Sequence, residues 1–208
     1  MEVRAASATE FRQYIRWLEQ TASWMEAQGI EQRTVDSFKP RTGMLEQAWR
    51  RGELVITLDG DLPIAGALLT PSPSVELERL WIDVSPTNSE TTLYLQNMVL
   101  APDLRDTGRG REVLGALEDA ARALNCSCVR LDCVANNQFL PRFYQDAGYF
   151  PRGERKLSGA TVLRLDKDLD AAHELMKILP GWQADLVGTL LFVIQDGKVL
   201  LIRKKRGH

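Results

Sequence analysis

Apolar side chains at Phe11, Ile15, Leu18, Ala22 and Met25 recur at the spacing of one helix face. The pattern predicts a first helix with Thr9 as its N-cap and Gly29 as its stop. A second, short helix is predicted over 45–51, ended by Gly52. The period then changes. An apolar run over 54–58, the pair Asp59-Gly60 and a second run to Leu69 predict a β-hairpin. Pro63 puts the start of its second strand near an edge or a bulge. Residues 70–74 are a Pro- and Ser-rich break, 80–84 read as a further strand, and 85–89 read as loop.

The second half is more regular. A strand is predicted over 93–100 and a polar connection over 101–107. A helix opens at Arg109 and carries Val113, Leu114, Leu117, Ala120, Ala121 and Leu124 on one stripe. A buried strand is predicted over 128–134. A helix over 137–147, carrying Phe139, Leu140, Phe143, Tyr144 and Ala147, ends at Gly148. A last strand over 160–165 runs into Asp166-Lys167-Asp168, which closes the domain. Helices, antiparallel strands and then strand–helix–strand–helix–strand give an α/β fold, α+β in layout, with a mixed sheet. Residues 170–185 read as a connector broken at Pro180-Gly181. Two apolar runs around Asp196-Gly197 predict a second hairpin over 190–203.

Composition changes this picture little. With 208 residues the chain holds one well-buried domain and an appendage. The apolar share of 44%, charged share of 26% and net charge of -2 suit a soluble globular protein with no global grip on nucleic acid or membrane. No apolar run has the length of a membrane span and no signal peptide is visible, so the cytoplasm is the expected location. Cys126, Cys128 and Cys133 are odd in number and tightly clustered, which argues against a disulfide scaffold. His173 and His208 lie far away and no second Cys pair exists, so no metal is expected.

The candidate chemistry sits at 105–110, between a strand and a helix. Gly108 and Gly110 let backbone approach an anion closely, and Arg105, Arg109 and Arg111 supply charge. A helix N-terminus adds unpaired N–H groups and the positive end of a dipole. The constellation fits a pyrophosphate cradle, although a strand, glycines and a helix are also a packing device. A P-loop fails because no Lys-Ser or Lys-Thr pair follows, and a dinucleotide fingerprint fails because Val113 stands where a third glycine belongs.

Arg105-x-x-Gly108-x-Gly110, with Pro102 three residues ahead, resembles the acetyl-CoA motif of the GNAT N-acetyltransferase superfamily. Asn137 at the head of a helix, Tyr144 seven residues later and then Gly148-Tyr149 match the family's next landmarks. The resemblance covers about residues 3–169 and implies a mostly antiparallel sheet with a V-shaped splay, flanked by about four helices. It implies that the amides of Arg105, Asp106, Thr107, Gly108, Arg109 and Gly110 bind the diphosphate of acetyl-CoA. Met98, Val99 and Leu100 would hydrogen-bond the pantetheine arm like an added strand, and the splay would open near Cys133-Val134. Tyr144 falls at the position that protonates the CoA thiolate, and Asn137 at one that contacts the cofactor or caps its helix. Pro141 departs from the usual helix pattern but sits in the first turn, where a missing N–H matters least.

The acceptor implied is a primary amine, on a small molecule or a peptide, and a homodimer is compatible with the reading. Gln96 and Asn97 stand where family members often carry a basic Glu. Glu76, Glu78, Asp83 or a water chain remain candidates for the base, and a non-catalytic acyl-CoA-binding module remains the alternative. Together with Glu90 those carboxylates hint at a cationic acceptor. Residues 186–208 resemble the first hairpin of a Nudix hydrolase domain, which suggests a piece of an acetyltransferase–Nudix fusion. The metal-binding Glu box of that family is absent here, so diphosphatase activity is not assigned.

Overall fold

The computed structural model describes residues 1–30, 42–71, 74–84, 91–157 and 159–169, together with the backbone of 190–195 and 198–203. The readings of 85–89 as loop and of 170–185 as connector, and those of Pro73, Glu90, Asp196-Gly197 and the basic end from Lys204, lie outside the described residues. The chain divides into two compact units, Met1–Ala171 and Ala172–His208.

In the first unit, seven strands form one sheet: β1 (Glu2–Ala5), β2 (Leu54–Asp59), β3 (Leu62–Thr70), β4 (Thr92–Leu100), β5 (Cys128–Val134), β6 (Phe150–Leu157) and β7 (Ala160–Asp168). Their spatial order is β1-β2-β3-β4-β5-β7-β6, and every neighbouring pair is antiparallel except β4 with β5. Five described helices flank it: α1 (Ala8–Ala27), α2 (Thr42–Arg50), α3 (Val75–Trp81), α4 (Arg109–Ala123) and α5 (Leu140–Asp146).

Two cores cover the two faces. Val113, Leu114, Leu117 and Ala121 of α4 and Tyr144 of α5 pack on Leu93, Leu95, Val129, Leu131 and Leu165. Tyr14, Trp17, Leu18 and Ala22 of α1 and Leu45 and Ala48 of α2 pack on Leu54, Ile56, Leu58 and Leu68 of the opposite face. Each fully buried Leu in these stripes contributes about 1.5–3 kcal/mol relative to exposure. A third cluster seats α3 through Leu77, Leu80 and Trp81 against Tyr94 and Val162. Trp81 lies beneath two guanidinium groups, with Arg130 at 4.8 Å and Arg164 at 5.8 Å from its ring.

Three expectations are corrected. The first helix is capped by Ser7, whose Oγ accepts from the Glu10 amide while the Glu10 carboxylate accepts from the Ser7 amide. Arg4 donates to both Glu10 oxygens, at 2.9 and 2.8 Å, and this pair pulls the buried Glu10 carboxyl down to about 2. The apolar run at 80–84 is no strand: Ser74 accepts from the Leu77 amide and caps α3, whose buried residues Leu77, Leu80 and Trp81 follow a helical spacing. Two strands were not anticipated. β1 and β6 form the edges of the sheet, and their mostly exposed, polar residues carry no period-two signal. The sheet is otherwise as expected, and Pro63 does adjoin a register shift between Thr57 and Leu58.

In the second unit, β8 (Leu190–Gln195) and β9 (Lys198–Arg203) form an antiparallel hairpin with Leu190 opposite Arg203 and Gln195 opposite Lys198.

Candidate active site

The site begins as a fault in the sheet. β4 and β5 pair over only three positions, Thr92 with Cys128, Leu93 with Val129 and Tyr94 with Arg130. Beyond them, residues 95–100 of β4 and 131–134 of β5 form no ladder with each other. The strands therefore part at Arg130, earlier than the expected opening at Cys133-Val134. β5 stays fully paired with β7 on its other side, and β4 with β3, so the wedge is bounded by two rigid walls.

A bulge helps to open it. Gly66 of β3 pairs with Val99 and Leu68 with Gln96, so Ala67 alone opposes Asn97 and Met98. Asn97 takes the left-handed φ of 50° that such a residue tolerates. The extra residue inverts the alternation: Leu93 and Leu95 face the α4 core, whereas Val99 and Ala101 face the α1 core. The fully buried Tyr14 of α1 donates its hydroxyl to the Asn97 carbonyl at 3.0 Å. Its ring lies so close to β3 that a Cβ on Gly66 would sit 2.6 Å from it, so only glycine fits there.

β4 then leads into a single 3-10 turn, Pro102–Leu104, and the loop 105–110. Gly108 has a φ of 82° and is the N-cap of α4, a backbone that a side chain would strain. Thr107 Oγ1 closes the turn by donating to the Leu104 carbonyl at 2.7 Å. The amides of residues 106–110 bond no acceptor among the described residues. These amides therefore stand open at a helix N-terminus, an arrangement that favours an anion.

The loop's arginines have other partners. Arg105 donates to Thr21 Oγ1 at 3.0 Å and lies over the Trp24 ring at 5.2 Å, tying the loop to α1. Arg109 is ion-paired to Asp59 at the tip of the β2–β3 hairpin and to Glu112, and its buried Nε has no partner. Arg111 donates to the Asp146 carbonyl at the end of α5. Thus the side chains build the cradle, and its open donors are main-chain amides.

Tyr144 lies on the α4 side of the sheet. It is buried, in edge contact with Phe143 and Tyr149 at 5.1 and 5.8 Å between ring centres. Burial pushes its hydroxyl well above the usual tyrosine range, with smaller contributions from Cys133 and Asp132 on the wedge wall of β5. Asn137 acts as a cap: its Oδ1 accepts from the amides of Phe139 and Leu140 at 3.0 and 2.8 Å. The helix it heads starts later than expected, at Leu140, with Pro141 in its first turn.

The model of the acetyltransferase (GNAT) family matches residues 14–149. This chain belongs to the GNAT acetyltransferase family. It is 27% identical over 136 residues to the uncharacterized N-acetyltransferase YesJ of Bacillus subtilis (strain 168), covering 64% of this chain and 72% of that protein. In fold it is similar to a GNAT-family acetyltransferase from Listeria monocytogenes 4b F2365, with a TM-score of 0.65 at 20% identity over 80% of this chain and 94% of that one. It is similar also to YncA of Salmonella typhimurium, solved with its cofactor acetyl-CoA, with a TM-score of 0.54 at 15% identity over 82% and 94% of the two chains.

As a GNAT acetyltransferase the protein is an acyltransferase, and its free amides beside an open strand edge suit the family's acyl donor. Among the described residues no cluster of His, Cys, Asp or Glu is arranged to hold a metal ion, and no helix is long and apolar enough to cross a membrane. The three cysteines are unpaired with one another and buried, and burial pushes Cys133 up to about 12.

The base candidates read from the sequence do not converge on the wedge. Glu76 and Glu78 are exposed in the first turn of α3, whose buried face is Leu77, Leu80 and Trp81. Asp83 is bound by Arg164 at 2.5 Å and Arg155 at 2.9 Å, and these bonds hold its carboxyl far below the usual range. A carboxylate so held is an anchor for α3 and a poor proton acceptor. Sequence reasoning also missed Asp59 and Tyr14. No local pattern marks either, since each acts across the fold, Asp59 on Arg109 and Tyr14 on Asn97.

Proposed function

We propose that the protein transfers an acetyl group from acetyl-CoA to a primary amine by direct attack. One observation carries this reading: the unbonded amides of residues 106–110 stand at a helix N-terminus beside the unladdered stretch of β4. A pyrophosphate suits the first feature and an extended, amide-bearing arm suits the second. Acetyl-CoA has both, and it supplies an acetyl group activated as a thioester.

The residues divide the work by position. The amides of Asp106, Thr107, Gly108, Arg109 and Gly110 bind the diphosphate, while Arg105, expected from the sequence to join them, has its amide bonded to the Pro102 carbonyl at 3.4 Å and its side chain tied to α1. Met98 and Leu100 hold the arm by main-chain bonds along the open side of β4, as an added strand would be held, while Val99, between them, turns its main-chain groups to Gly66 of β3. Asn137 shapes the head of α5 and so sets where Tyr144 stands. Burial keeps the Tyr144 hydroxyl protonated throughout the neutral range, so it always has a proton for the departing sulfur. The wedge walls align amine and thioester, which removes much of the entropic part of the barrier.

The acceptor face is built by α1, α3 and the β-strand residues between them, and it leaves the identity of the amine open. The test is a panel of polyamines, aminoglycosides, amino acids and short peptides incubated with acetyl-CoA while free thiol is followed. At least one amine should release thiol in proportion to acetylated product. Tight binding of acetyl-CoA without thiol release from any amine would favour a non-catalytic acyl-CoA-binding module.

A further inference from the structure

The loop 105–110 has an aromatic ledge on one flank that the acyl transfer itself does not use. A Cβ built on Gly110 would lie 3.6 Å from Phe143 Cζ, so the Phe143 ring abuts the backbone of the cradle. Phe139 stacks on Phe143, with ring centres 5.5 Å apart and planes inclined by 25°. Phe143 packs against the core, whereas Phe139 is 67% exposed, so its outer face meets solvent. A single exposed phenylalanine is ordinary on a protein surface. This one is the outer end of a continuous ledge that begins at Gly110. Its backbone is also fixed, because Asn137 Oδ1 accepts from the Phe139 and Leu140 amides.

The other two flanks of the loop are already taken. Toward α1, the guanidinium of Arg105 lies over the Trp24 ring at 5.2 Å and covers it. Toward the β2–β3 hairpin, Arg109 is ion-paired to both Asp59 and Glu112, so carboxylates outnumber the guanidinium there. That flank repels a ligand bearing several phosphates.

We infer that Phe139 is the platform on which the adenine of the acyl donor stacks. This rests on the binding of acetyl-CoA proposed above. The pantetheine arm leaves the diphosphate along β4, and the adenosine leaves it from the other end, toward the flank that offers an open ring. A purine has a π face and needs no hydrogen-bond partner to stack on an aromatic side chain. The platform is built before the ligand arrives, since the Asn137 cap and the Phe143 ring already hold Phe139 in place. A choice of donor follows. Free acyl-CoA carries an adenosine, and a phosphopantetheine arm borne on a carrier protein does not, so Phe139 favours the free thioester.

The test compares wild type and Phe139→Ala with acetyl-CoA and with acetyl-phosphopantetheine, which has the same thioester arm and no adenosine. The Ala variant should bind acetyl-CoA about 5- to 20-fold more weakly, the lower part of the range for base stacking because one ring face is used. Its affinity for acetyl-phosphopantetheine should stay within about twofold of wild type. Its kcat at saturating acetyl-CoA should also stay within about twofold, whereas a displaced α5 would carry Tyr144 with it and lower kcat. Undiminished affinity for acetyl-CoA, or an equal loss for both donors, overturns the proposal.

Phe139→Trp gives a second reading that needs no turnover. Acetyl-CoA should quench the added indole beyond any change seen in wild type, and acetyl-phosphopantetheine should not. Absence of that quenching when acetyl-CoA binds overturns the stacking. A preference for acetyl-CoA that Trp24→Ala abolishes and Phe139→Ala leaves intact places the base on α1 and overturns it too. If wild type binds no acetyl-CoA, the acyl-donor reading falls first and this one with it. A wild type that binds beside an undiminished Ala variant sinks Phe139 alone.

Discussion

Replacing Tyr144 with phenylalanine should lower kcat by about 10²–10⁴-fold and leave the affinity for acetyl-CoA unchanged. The change removes one oxygen and keeps the ring that packs on Phe143 and Tyr149, so the core should survive it. The loss should therefore fall on turnover and not on the thermal midpoint. The position has an ordinary structural reading too, as one aromatic among three, and the phenylalanine variant separates the two. Stopped-flow release of thiol and calorimetric binding of acetyl-CoA, measured on the same preparation, decide it. Unchanged turnover would make Tyr144 a packing residue.

Gly108→Val should have the largest effect on the acyl donor. A Cβ at Gly108 meets no atom within 4 Å, so no neighbour has to move. The φ of 82° is the obstacle, because a β-branched residue at that backbone is strained by about 1–3 kcal/mol. The loop either keeps the strain or turns its amides away from the ligand. Acetyl-CoA affinity should drop about 5- to 150-fold, with little change in the fold of the sheet. Gly115→Ala, on α4 with equally open surroundings and an ordinary helical backbone, is the control and should bind as wild type. Equal affinity in the Gly108 variant would mean that the loop does not hold the diphosphate.

The parts that were legible in the sequence are those with a local cause. The stripe from Val113 to Leu124, the run 93–100 and the spacing of Gly108 and Gly110 each state their element without help from elsewhere. Ser7-x-x-Glu10 stated the true cap of α1 as clearly, and Thr9 was the lesser choice. The bulge had a signal of its own: Leu93 and Leu95 alternate in one phase and Met98 and Leu100 in the other, a slip of one residue around Asn97. The rest depends on distant partners. β1 and β6 are strands because β2 and β7 pair with them, not because their polar residues prefer it. The run 80–84 is ambiguous between helix and strand because α3 is only seven residues long, and the Ser74 cap resolves it. Asp132 reads as one polar residue in a buried strand until the parting of β4 from β5 gives it a place in the wedge.

The arginines of the loop sharpen the account most. Their charge suggested phosphate ligands, yet Arg105, Arg109 and Arg111 each hold a different element: α1, the β2–β3 hairpin and α5. On the reading proposed above, recognition of the donor's diphosphate and arm falls to the main chain, and the most direct measurement addresses the main chain itself. Amide hydrogen exchange, read residue by residue with and without acetyl-CoA, should show new protection at Met98 and Leu100 and at residues 106–110, with Val99, whose amide faces β3, little changed. Acetyl-CoA that binds while those amides exchange as before would contradict the account.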